Sequence, residues 1–66
     1  MKLEATGHPC AKRIVDYDQK PGERMRGFAL KMSDGRWGAF DPHDKPLVKY
    51  TFPTAKAVLK WFRDSR

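Results

Sequence analysis

Cys10 and His8, separated only by Pro9, supply a thiol and an imidazole, the side chains most used as zinc ligands and as nucleophile and base. The chain has one cysteine, and His43 is the only other histidine. A closed tetrahedral site would therefore need a carboxylate or a second chain, so neither a metal nor any other cofactor is expected. Asp41, His43 and Asp44 cluster around Pro42, where Asp-Pro reads as a turn opening and accounts for them better than an acid–base set. No nucleophile with a base, paired carboxylates or phosphate-binding glycine loop stands at a useful spacing. No catalytic residue is assigned, and a non-enzymatic protein is expected.

What remains is charge. Fourteen Lys and Arg oppose eight Asp and Glu, a formal balance of +6, and each half of the chain carries +3, divided at Arg36. Clustered cations attract phosphates through counterion release, and an exposed ring beside them can stack on a base. Lys31, Arg36 and Lys49 with Phe40 are the first candidate group for nucleic-acid binding. Lys56, Lys60 and Arg63, repeating at i, i+4 and i+7, are a second. Each has a plainer account: cations on a solvated strand face aid solubility, and Arg63 and Arg66 near a helix end complement its dipole.

These side chains need elements to hold them. Asp34-Gly35 lies between two runs of strand-like residues and suits a two-residue hairpin loop. In that register Met32 faces Trp37, Leu30 faces Ala39 and Ala29 faces Phe40. Phe28, Leu30, Met32, Trp37 and Ala39 then form the core face, and Ala29, Lys31, Ser33, Arg36, Gly38 and Phe40 the open one. An earlier strand is expected over residues 12–18, closed by a type II turn at Pro21-Gly22. Another is expected over 47–52, with Val48, Tyr50 and Phe52 facing inward. Thr54 can cap a helix from Ala55 toward the C-terminus, whose apolar stripe is Ala55, Val58, Leu59 and Phe62. Trp37 and Trp61 read as packing anchors.

Sixty-six residues permit one small domain and no large cleft. Residues 1–11 show no periodicity and read as a flexible N-terminal arm, and 12–66 as a single β-meander plus helix domain. The fold class expected is α+β: an antiparallel meander of three or four strands with one C-terminal helix packed on one face, in two layers. A lone cysteine and the lack of a long apolar stretch point to a cytoplasmic protein with no membrane partner. The order of strands followed by a helix opening Phe52-Pro53-Thr54-Ala55-Lys56-Ala57 is similar in outline to small nucleic-acid-binding folds. Among them are the transcriptional-coactivator type of single-strand binder and the sheet-and-helix part of double-stranded RNA binders. The likeness is architectural, and no residue role is carried over from it.

The function expected is that of a small basic nucleic-acid-binding module using the open sheet face and the basic helix stripe. The alternative is a protein-interaction module, an inhibitor or accessory factor of phage or bacterial type, that binds an acidic partner protein. An edge strand could also pair two copies into a homodimer.

Overall fold

Alternation of apolar and polar residues, interrupted by glycine and proline turns, produces four strands before the helical spacing begins. The computed structural model describes residues 1–65. It contains β1 (Lys2–Ala5), β2 (Ala11–Val15), β3 (Met25–Lys31), β4 (Trp37–Phe40) and α1 (Ala55–Asp64). The strands form one antiparallel sheet in the order β1-β2-β3-β4, and α1 lies across it. This is the expected two-layer α+β arrangement, with four strands.

The helix begins where its sequence says it should. Thr54 has extended backbone angles, and its Oγ1 accepts from Ala57 N at 3.1 Å. Val58 and Phe62 are buried, and Ala55, Leu59 and Trp61 pack around them. Beneath the helix lie Ile14, Ala29 and Ala39, all essentially without exposed surface. Burying Val58 and Phe62 stabilises the fold by roughly 1.5–3 kcal/mol each. Small residues are what let the helix come down onto the sheet. Gly27, at φ +155°, is the tightest point, because a Cβ there would fall on the Phe40 carbonyl oxygen and 2.9 Å from Phe62 Cζ. The β2–β3 register shifts beside it, from Ile14↔Gly27 to Val15↔Met25, so β3 carries a bulge at this position.

The hairpin corrects the expected register. Met32 N donates to Arg36 O and Gly35 N to Met32 O, which leaves Ser33, Asp34 and Gly35 as a three-residue loop. Gly35 alone takes positive φ, +85°, whereas a two-residue type I′ turn requires it at Asp34 as well. The pairs are Phe28↔Phe40, Ala29↔Ala39, Leu30↔Gly38 and Lys31↔Trp37. The extra loop residue turns β3 over relative to β4. Ala29 is under the helix, and Phe28, Leu30 and Met32 belong to the uncovered face. Trp37 and Ala39 keep their expected inward side.

Three further expectations are revised. Residues 1–11 are not simply an arm: Lys2–Ala5 pairs with β2, and Met1 and Leu3 pack on the core. Pro21–Glu23 is a 3-10 turn closed by Glu23 N to Lys20 O, and Gly22 does not take the positive φ of a type II turn. Residues 47–52 form no strand. Two isolated bridges, Phe40↔Pro46 and Trp37↔Phe52, tie this segment to the outer edge of β4. Six steps of chain separate Pro46 from Phe52 while three separate Trp37 from Phe40, so the surplus must loop outward. Val48 and Phe52 reach the core, but Tyr50 is 57% exposed. The β4 edge is thus sealed by the chain itself, and among the described residues no further strand borders β1.

Candidate functional site

The outward loop between Pro46 and Phe52 builds a cleft. Between the uncovered side of the sheet, at Met32, Gly38 and Phe40, and the loop carrying Lys49, Tyr50 and Thr51 lies a depression of about 590 Å³. That lies within the range of roughly 300–1,000 Å³ usual for small-molecule sites. Its floor exists because residue 38 is glycine: a Cβ there would stand 2.8 Å from both Met32 Cε and Phe40 Cε1. Its outer wall is tied down by Arg36, whose Nε donates to Thr51 Oγ1 at 2.7 Å and whose Nη2 donates to Thr51 O at 3.2 Å. Tyr50 leans on Phe52 with ring centroids 5.3 Å apart, and Phe52 in turn lies 6.4 Å from Trp61. An exposed phenol is thereby backed by half-buried rings.

On the remainder of the uncovered face, Phe28 stands directly opposite Phe40 across the β3–β4 ladder. Direct cross-strand partners have Cβ atoms about 5 Å apart, so the two side chains rise from adjacent points of one face, with the Phe40 ring leaning along its strand over Gly38. Leu30 and Met32 continue it toward the hairpin. On the β1–β2 side the face becomes polar. Arg13 Nε donates to Glu4 Oε1 at 3.0 Å, and the Tyr17 hydroxyl donates to Glu4 Oε2. The Tyr17 hydrogen bond, with help from Arg13, holds the Glu4 carboxyl below its ordinary pKa, and the same bond raises that of Tyr17. Lys2 Nζ lies 4.8 Å from the Tyr17 ring centroid.

The seven residues singled out from the sequence are divided by this geometry. Phe40 and Lys49 meet in the cleft, and Arg36 adjoins it through Thr51. Lys31 does not join them. It pairs with Trp37 two residues beyond Ala29, which sets it on the helix-side face, a direct result of the three-residue loop. Lys56, Lys60 and Arg63 are exposed on the side of α1 turned away from its buried stripe, so they lie in the opposite layer from Phe28 and Phe40. Arg63 Nη2 donates to Met1 O. One ligand cannot lie flat on both groups. Arg66, read from the sequence with Arg63, lies outside the described residues. Phe28, Met32, Tyr50 and Thr51 were not singled out, and the correct hairpin register is the signal that exposes the first two.

The turn residues behave as turn residues. Asp41 Oδ1 accepts from His43 N at 2.8 Å and Lys45 N at 2.9 Å, and these backbone donors, Lys45 foremost, lower its pKa. Among the described residues no three His, Cys, Asp or Glu side chains are grouped to hold a metal. No helix among them is long and apolar enough to cross a membrane. No protein family, curated protein or solved structure matches the chain.

Proposed function

We propose that this protein is a small non-enzymatic module that binds single-stranded nucleic acid on the uncovered face of its sheet. The observation that carries this reading is the placement of Phe28 and Phe40 as direct cross-strand partners on a face no helix covers, beside Lys49, in a chain of net charge +6. Two aromatic side chains on one face offer stacking surfaces that tolerate any base, and the cations hold the backbone without reading sequence. The helix stripe Lys56, Lys60 and Arg63 is left out of the interface by its position in the other layer.

Titration of labelled single-stranded DNA and RNA oligonucleotides at several salt concentrations tests this. With two phosphates neutralised, by Lys49 and Arg36, log affinity falls against log salt with a slope of roughly −1.5. Phe28→Ala and Phe40→Ala each weaken binding by about 1–3 kcal/mol, while charge reversal at Lys56 and Lys60 has little effect. A flat salt response, or equal sensitivity on both layers, refutes the reading. Leu47, 43% exposed, and Leu30 favour a second reading, in which an acidic protein partner seats apolar side chains on this strip. Capture of such a partner after nuclease treatment, lost on Leu30→Asp, distinguishes it.

A further inference from the structure

The geometry points to the cleft beside β4 as a pocket for one unstacked base of a bound single strand, with Lys49 meeting the adjoining phosphate. This rests on the strand-binding reading and specifies where the strand is gripped. A flat sheet offers stacking but no enclosure. Here the surplus residues opposite β4 stand out from the sheet and turn an open surface into a slot, with Phe40 on the sheet side and Tyr50 on the loop side. A planar, apolar-faced and polar-edged group fits such walls, and a base presents that shape once it leaves its stack. The polar edge has a partner in the Thr51 hydroxyl, whose oxygen accepts from Arg36 and whose hydrogen is left to donate. The negative charge that must accompany a base in a strand has a counterpart in Lys49, which lines the same slot. An acidic peptide would satisfy Lys49 but leave the Phe40 and Tyr50 side chains that line the slot without a planar occupant.

Arg36 acts here as a positioning residue. Its two hydrogen bonds to Thr51 fix the distance of the loop from the sheet, and with it the width of the slot. Lysine at this position keeps the charge but loses the planar two-point grip.

The experiment uses the shortest strand that retains full affinity, so that the protein cannot slide away from an altered position, and replaces each base in turn by an abasic site. In the wild-type protein one position is expected to dominate, its loss weakening binding by roughly 5- to 150-fold. In Tyr50→Ala that position becomes no more sensitive than its neighbours. Tyr50 is largely exposed, so this variant keeps its fold, which thermal unfolding verifies. Arg36→Lys is expected to blunt the same positional sensitivity while leaving the salt slope unchanged, whereas loss of a phosphate contact would reduce the slope. As a second measurement, adenosine monophosphate is expected to shift the amide resonances of Gly38 and Thr51. Uniform loss along the strand, or tight position-dependent binding by Tyr50→Ala, overturns the pocket and leaves strand binding standing. No binding by any strand overturns both. A concentration-dependent dimer abolished by Tyr50→Ala assigns the slot to a second copy and also overturns the proposal.

Discussion

Replacing Ala29 by leucine should destabilise this protein severely, although alanine to leucine in a strand looks harmless. Ala29 and Ala39 face each other under the helix with 0% and 1% of their surface exposed. The added isopropyl group enters space already filled by Ile14, Val58 and Phe62. Overpacking of this kind costs about 1–3 kcal/mol, out of roughly 3–10 kcal/mol for a domain of this length. At about 4–8 °C per kcal/mol, the melting temperature falls by roughly 5–20 °C. Leu30→Thr, one residue on but facing the uncovered side, changes stability by about 1 kcal/mol or less. Urea unfolding followed by circular dichroism reads both, with an unchanged slope showing that only stability has moved. A two-residue hairpin loop would exchange the two results. Ala29→Leu would then be neutral, and Leu30→Thr would lose about 2–5 kcal/mol as a core truncation. That exchange would refute the register and, with it, the placement of Phe28 beside Phe40.

Thr54→Ala removes the acceptor for Ala57 N and should cost about 1 kcal/mol, while Thr54→Asp restores most of it in thermal melts. Gly27→Ala must hold a side chain at φ +155° against the Phe40 carbonyl and the Phe62 ring, and should lose at least about 1–3 kcal/mol. The Tyr17–Glu4 bond makes stability depend on pH at both ends. Glu4, lowered when folded, contributes above its unfolded pKa and loses that contribution as pH falls through the folded one. Tyr17, raised when folded, contributes fully below its ordinary 10.0 and loses that contribution as pH rises through the folded value. Tyr17→Phe should therefore flatten both limbs of the melting temperature plotted against pH, and a curve parallel to wild type at both ends would count against the bond. Lys49→Glu should weaken oligonucleotide binding more than Lys31→Glu, since only Lys49 lines the cleft.

The helix was legible because cap, stripe and length agree: Thr54, then Ala55, Val58, Leu59 and Phe62, admit one alignment. The hairpin was legible in existence but not in phase. Asp34-Gly35 serves a two-residue or a three-residue loop, since both place glycine at positive φ, and apolar residues of both parities flank it. Side-chain size misled: bulky Phe28, Leu30 and Met32 look like core, yet the helix docks over Ala29 and Ala39 because Phe62 needs a low floor. The cleft was not legible at all. It arises from a mismatch between chain lengths on either side of β4, which no local pattern records. Tyr50, Phe52 and Val48 alternate as in a strand, but only the outer residues of the segment have ladder partners.

The two borders of the sheet are unequal, and this limits how copies can associate. Because Pro46 and Phe52 already occupy the far border, the edge left open among the described residues is Lys2–Ala5. Two molecules meeting there would each use up that edge, so pairing through it closes at two copies instead of running on as a fibril.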